Sequence, residues 1–179
     1  LALKHPTGDH DEDIGIALDA LQAKVIATDK DGDSASQTVN IGNLVRFDDD
    51  GPNARDDFDN IQTSDGGVTF FAAGNVISGA STIDPGEGGD TIGADLPGTI
   101  SALLGFGGSS DSDPTGGFVV NGKYGTLTMD ANGNYTYDLD ETKIGTIPSG
   151  ATEQFTYTLS DGDTDTDTAK LTIKFPEAK

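Results

Sequence analysis

Three aspartates at every second position occur twice in this chain, as Asp29-Lys30-Asp31-Gly32-Asp33 and as Asp161-Gly162-Asp163-Thr164-Asp165. In a tight loop, carboxylates spaced this way can converge on one cation. Ca²⁺ takes about 6–8 oxygen ligands at ~2.3–2.6 Å, which suits clustered Asp side chains and backbone carbonyls. Mg²⁺ demands stricter octahedral geometry and keeps its waters. Softer metals are poorly served, because the chain has no cysteine and 2 histidines. A third acidic group, Asp48, Asp49 and Asp50 with Asn53, flanks Gly51 and Pro52 and could clamp a cation between modules, with Asp56, Asp57 and Asp59 adding ligands from the second module. The candidate metal ligands are therefore Asp29, Asp31, Asp33, Asp48, Asp49, Asp50, Asn53, Asp161, Asp163 and Asp165, and the candidate ion is Ca²⁺.

Other arrangements carry less. The helical calcium-loop pattern wants Gly at position six and Glu at twelve. Counting from Asp29, those positions hold Ser34 and Asn40. Counting from Asp130, Glu141 falls at twelve but Tyr135 falls at six, so the segment reads as a plain hairpin turn. The glycine-rich nonapeptide of repeat toxins is echoed, not matched, by residues 88–95. Asp84, Glu87, Asp90 and Asp95 read equally well as calcium ligands and as solvated loop. His5 and His10 share one polar loop with Asp9, Asp11, Glu12 and Asp13, which reads as solvated surface and supports no Ser/His/Asp arrangement. Paired carboxylates for glycoside chemistry would need an aromatic cleft, yet most of the 8 Phe and 4 Tyr sit at strand-core spacing. No enzyme is expected. Asn134-Tyr135-Thr136 matches a glycosylation acceptor but lies in the predicted hairpin.

These acids need elements to hold them. The chain has 179 residues, 31 acidic against 10 basic, and a formal net charge of -21. Such a charge repels nucleic-acid phosphates, which excludes generic DNA or RNA binding. No run approaches the ~20 apolar residues that span a bilayer, so no membrane insertion is expected. Asp outnumbers Glu heavily, and Asp favours turns, caps and oxygen-ligand loops where Glu favours helices. A salt-adapted surface would scatter its acids over all exposed faces. Here they bunch in loops, while the outward strand positions carry Thr. Apolar residues alternate with polar ones at Leu127/Met129, Tyr135/Tyr137/Leu139, Phe155/Tyr157/Leu159 and Ala169/Leu171/Ile173/Phe175, the mark of half-buried strands. Ser101 to Leu104 and Asp19 to Lys24 could each make one helical turn, without sustained periodicity or caps. The fold class expected is all-β, an antiparallel β-sandwich of many short strands.

An internal repeat sets the organisation. The stretch from Ala23 to Ile41 superposes without a gap on Phe155 to Ile173 at an offset of 132 residues. Val25 falls on Tyr157, Ala27 on Leu159, the three Asp on the three Asp, and Val39 and Ile41 on Leu171 and Ile173. A period near ~130 residues is one sandwich domain. The second copy ends at the C-terminus, so its module begins soon after residue 47, and the punctuated segment 47–53 is the junction. Residues 52–179 then form a complete module, and 1–51 the C-terminal part of another. About fifty residues cannot build a two-sheet core unaided. Three origins fit: the front of the first module lies upstream, residues 1–47 dock on the second module, or an inserted domain splits the first module and this is its returning half.

Two landmarks carry a family resemblance. One is Ala27-Thr28-Asp29-x-Asp31-Gly32-Asp33-Ser34-Ala35-Ser36 ending in Asp49-Asp50-Gly51-Pro52. The other runs from Tyr124 through Asp130-x-Asn132-Gly133-x-Tyr135 to Phe155-Thr156-Tyr157-Thr158-Leu159-Ser160-Asp161-Gly162-Asp163, with residues 74–80 and 94–95 matching the early part of such modules. The chain resembles the VCBS and related immunoglobulin-like repeats of repeats-in-toxin (RTX) bacterial adhesins over residues 20–179; residues 1–19 and 105–117 match least. The resemblance implies immunoglobulin-like or cadherin-like sandwich modules in tandem, calcium at loops and junctions, type I secretion and a place on the bacterial cell surface, in biofilm-type adhesion. The partners implied are neighbouring modules and an inserted or adjacent ligand-binding domain. The function implied is an extender or scaffold; the alternative is a peptide- or glycan-binding module of the same kind of adhesin. One departure concerns the turn, since the second loop carries Thr164 where such loops carry Gly.

Overall fold

The computed structural model describes residues 13–48, 50–64, 69–80, 89–113 and 115–176. They fall into two compact units that divide between Asp50 and Gly51. The expected loop around His5 and His10 lies outside the described residues apart from Asp13, as do Asp49, Asp84 and Glu87.

Among the described residues the first unit has four strands: β1 (Asp13–Gly15), β2 (Gln22–Thr28), β3 (Ser34–Asn40) and β4 (Arg46–Asp48). β1 pairs antiparallel with β4, and β2 with β3. The segment from Asp19 to Lys24 is not helical: a turn at 18–20 leads directly into β2. The β2–β3 register sets Ala23 opposite Val39, Val25 opposite Gln37 and Ala27 opposite Ala35, so the small apolar residues share one face. Lys24 and Thr38, and the bonded pair Gln22 and Asn40 (2.8 Å), occupy the other. Both faces are exposed; Val25 keeps 69% and Val39 54% of its surface.

The second unit is a sandwich, with ten strands among the described residues: β5 (Asp57–Asn60), β6 (Gln62–Ser64), β7 (Thr69–Asn75), β8 (Thr99–Leu104), β9 (Ser110–Asp111), β10 (Phe118–Asn121), β11 (Gly125–Met129), β12 (Asn134–Leu139), β13 (Thr152–Ser160) and β14 (Thr166–Lys174). One sheet runs β10-β11-β12-β7-β6 and the other β5-β14-β13-β8-β9. The alternation read from the sequence falls as expected. Leu127, Met129, Tyr135 and Tyr137 face inward from the first sheet, and Phe155, Tyr157, Leu159, Ala169, Leu171 and Ile173 from the second. Burying each large apolar side chain contributes about 1.5–3 kcal/mol. The β11–β12 hairpin turns at Asp130-Ala131-Asn132-Gly133, where Gly133 takes the left-handed φ of +81° and the Asp130 carboxylate accepts the amides of Asn132 (2.9 Å) and Asn134 (3.0 Å). That local bonding is the plain hairpin reading of Asp130.

Three expectations need correction. Ser101 to Leu104 is strand, not helix: it is the body of β8, bonded antiparallel to β13. The sandwich is not purely antiparallel, because β5 pairs parallel to β14. The first strand of the module enters beside the last and runs the same way. Thr172 does not sit on a solvated face. It is 4% exposed, placed opposite Phe58 of β5 and bonded to Gln154 (3.3 Å).

Candidate metal centre

The two Asp loops are built alike. In each, the first Asp amide donates to the carbonyl of the last, Asp29 N to Asp33 O at 2.9 Å and Asp161 N to Asp165 O at 3.1 Å. The last Asp amide donates back to the first carboxylate, Asp33 N to Asp29 Oδ1 and Asp165 N to Asp161 Oδ1, both at 2.9 Å. The loop closes each hairpin, and its fourth residue turns left-handed. That residue is Gly32 (φ +99°) in the first and Thr164 (φ +87°) in the second. The departure at Thr164 therefore leaves the turn intact and places a β-branched residue in a conformation suited to glycine. In both loops three carboxylate oxygens lie within 4.8 Å of one another. Among the described residues these are the two clusters with metal-ligand spacing.

Their surroundings differ. Asp29, Asp31 and Asp33 are all exposed. The side-chain hydrogen bond with Asp31 above all, helped by the amides of Asp33, Asp31 and Gly32, holds the Asp29 carboxyl below the usual range against the opposing effect of desolvation. Asp161 and Asp165 are buried, at 6% and 2% exposure. Burial pushes the Asp161 carboxyl up, and the hydrogen bond and charge of Asp163 push the same way. The Oδ1 atom of Asp163 is buried and receives no hydrogen bond. The second loop is also strapped from outside: Gly162 N donates to Asp95 O at 2.7 Å. Asp95 is itself buried.

The remaining acids are engaged otherwise. Asp167, next in the alternating run, points its carboxylate at the leading segment of the module and accepts Ala54 N at 2.8 Å. Asp90 accepts Arg55 N (2.8 Å) and the Tyr157 hydroxyl (3.1 Å); burial above all raises its carboxyl to about 6. Asp56 accepts Lys170 N at 2.9 Å. Asp57 and Asp59, suggested as extra junction ligands, are buried core acids: Asp57 shares the one Tyr157 hydroxyl proton (3.1 Å) with Asp90 and with Arg55 O (2.8 Å), and Asp59 accepts the Tyr135 hydroxyl (2.9 Å). Asp48 is exposed at the end of β4 and Asp50 is exposed beyond it. Asn53 has an exposed side chain and a backbone paired to Thr91 in both directions (2.8 and 3.1 Å).

Glu153 is a further buried acid, outside every acidic cluster of the sequence. It is buried (5%), accepts the amides of Lys123 and Tyr124 and takes the Tyr137 hydroxyl at 2.5 Å. The signal was available. Glu153 stands in phase with Phe155, Tyr157 and Leu159, on the face that an exposed acid would avoid.

Residues 49–174 match a family model described as a bacterial Ig domain. Residues 1–42 match a family described as a domain of unknown function, DUF5801. No curated protein matches the chain. The bacterial Ig match spans the whole sandwich, with both sheets and the buried Asp loop, and the Ig domain is a non-catalytic structural fold. The match covers well over half of the sequence, and the chain belongs to the bacterial Ig domain family.

Proposed function

We propose that the chain is a calcium-rigidified structural module, an extender or scaffold of a large bacterial cell-surface adhesin that projects ligand-binding domains. The observation that carries this reading is the Asp161–Asp163–Asp165 cluster. Two buried carboxylates and a third with a buried, undonated oxygen converge at the closed end of a hairpin. Without a cation this arrangement sets desolvation and like-charge repulsion against folding. A hard divalent ion would relieve both, and an all-oxygen donor set favours Ca²⁺ over softer metals.

Asp161, Asp163 and Asp165 would hold one ion and Asp29, Asp31 and Asp33 another. Asp48, Asp49, Asp50 and Asn53 are proposed as a junction site. The same reading takes 1–51 as the C-terminal part of one module and 52–179 as a complete second one, with neighbouring modules as partners. Membership of the bacterial Ig family supports an extracellular or surface location. RTX-type secretion belongs to the proposal through the sequence resemblance.

The deciding experiment is thermal unfolding in EDTA and in millimolar Ca²⁺. Extracellular calcium modules bind at ~10⁻⁴–10⁻³ M, so millimolar Ca²⁺ lies at about 1–10 times Kd and stabilises the fold by about 0.4–1.4 kcal/mol per site. A rise of several degrees with Ca²⁺ supports the proposal. An unchanged melt, with no heat of calcium binding by calorimetry, refutes it.

A further inference from the structure

We infer that the outer edge of β10 is a strand-pairing surface for a second copy of this chain, and that residues 109–113 hold it shut by standing in for that strand with their side chains.

β10 ends one sheet of the sandwich and β9 ends the other, and among the described residues no ladder joins them. The backbone of β9 is taken by β8, with Leu103 opposite Asp111 and Leu104 opposite Ser110. Side chains make the link across to β10. Asn121 N donates to Ser109 Oγ at 2.9 Å, and Val119 N donates to Asp111 Oδ2 at 3.0 Å. Residues 109 and 111 thus meet 121 and 119 in the order of an antiparallel partner, with a hydroxyl and a carboxylate in place of two carbonyls. The strap is itself fixed. Gly105 N donates to Ser109 O at 2.7 Å, and Asp113 N to Asp111 Oδ1 at 3.0 Å. Gly105 approaches β10 so closely that a Cβ there would stand 2.5 Å from Asn121 O.

The strand under this strap is the kind that pairs. β10 reads Phe118-Val119-Val120-Asn121, and neither charge nor proline occurs from Thr115 to Gly122. Short uncharged segments of high β propensity add to other chains unless a charge, a proline or a covering segment blunts them. The edge is also self-complementary. In an antiparallel ladder alternate residues turn both backbone groups to one side. Val119 and Asn121 turn theirs away from β11, as their bonds to the strap show. A two-fold axis at Val120 sets Val119 of each copy opposite Asn121 of the other, each pair exchanging both backbone bonds across an isologous contact. The Val119 side chains, 52% exposed, become diagonal neighbours on one face of that ladder. A net charge of -21 on each copy is the second obstacle to this pairing, and the strap is the first. No cation enters the inference.

Ser109→Ala combined with Asp111→Ala removes both caps. Asp113→Ala takes one charge from the same strap but no cap from β10, because Asp113 accepts Thr115 N (2.9 Å). Gly105→Ala opens the strap by crowding alone. Sedimentation is followed over a range of protein concentrations in about 1 M salt, where the Debye length falls to ~3 Å and repulsion between copies is screened. The double variant and Gly105→Ala should dimerise as concentration rises, while the parent and Asp113→Ala stay monomeric. Adding Val119→Pro to the double variant deletes one outward amide and no bond to β11, and should restore the monomer. Hydrogen exchange locates the contact. The Val119 and Asn121 amides should be protected in the parent, exchange at least about tenfold faster in the dilute double variant, and regain protection in its dimer. If the double variant does not fold, Gly105→Ala decides by the same two readouts. A variant that stays monomeric at every concentration with those amides open would overturn the inference. So would a dimer that Val119→Pro leaves intact, or unprotected Val119 and Asn121 amides in the parent.

Discussion

Thr164 holds in the buried Asp loop the left-handed backbone conformation that Gly32 holds in the exposed one, φ +87° against +99°. An L-residue in that region costs about 1–2 kcal/mol, while glycine loses about 0.5–1 kcal/mol of extra chain entropy on folding. Thr164→Gly should therefore stabilise the second module by ~0.5–1 kcal/mol, read as a rise in the midpoint of chemical unfolding at unchanged slope. The carboxylates are untouched, so calcium affinity should hold or improve slightly. A loss of stability would mean that the Thr164 side chain contributes more than its backbone conformation costs.

Asp163→Asn should change sign with the metal. Asn is nearly isosteric and keeps one oxygen, but it removes one of three converging charges. In EDTA the variant should melt higher than the parent, because the repulsion that helps to raise the Asp161 carboxyl is gone. In millimolar Ca²⁺ it should melt lower, having lost an anionic ligand. Paired melts in the two buffers check this, and a variant that moves the same way in both argues against ion binding at this loop.

The acid limb of stability should run opposite to the usual one. Burial raises the Asp90 carboxyl to about 6, from 3.8 in the unfolded chain, and raises Asp59 in the same direction. A folded pKa above the unfolded value means that the folded state binds the proton more tightly. The contribution is fully present below the unfolded value and is lost as pH rises through about 6. Asp29, Asp111, Asp113 and Asp140 shift downward and act the other way, but their window lies below the ordinary carboxylate value. In EDTA the second module should thus lose stability between pH 4.5 and pH 7. Asp90→Asn, which keeps an acceptor for Arg55 N, should flatten that slope. Chemical unfolding at a series of pH values measures it.

The sandwich is legible because β11, β12 and most of β13 follow period two, and the repeat is legible because loops and strands share one offset. The parallel β5 is not. Asp57-Phe58-Asp59-Asn60 alternates with acids in the inward phase, and its partners Tyr135 and Tyr157 lie 76 and 100 residues away. Composition cannot reveal a buried acid whose cost is met by a distant hydroxyl. The same holds for Asp90 and Asp95, whose burial depends on the loops packed against them. The candidate ligands in the two Asp loops are visible because their geometry is local, five residues end to end. The difference in burial between the loops is tertiary, and only the folded chain displays it.

Glu153 ties the two sheets together through Tyr137, and its replacement should separate a hydrogen-bonding role from a charge role. Its carboxylate accepts two backbone amides of the β10–β11 turn and the Tyr137 hydroxyl that crosses from the opposite sheet. Glu153→Gln keeps an oxygen for the amides, but its NH₂ group cannot accept the hydroxyl proton. The loss should be modest, about 1–2 kcal/mol. Glu153→Ala leaves two amides and a hydroxyl buried without their acceptor and opens a cavity, for about 3–5 kcal/mol. Tyr137→Phe removes the donor and leaves the buried carboxylate with its amides alone, about 1.5–3 kcal/mol. Combining Tyr137→Phe with Glu153→Gln should cost less than the sum of the two, because both delete the same bond. A double-mutant cycle in chemical unfolding measures that coupling. Strict additivity would show that the 2.5 Å contact contributes nothing to holding the sheets together.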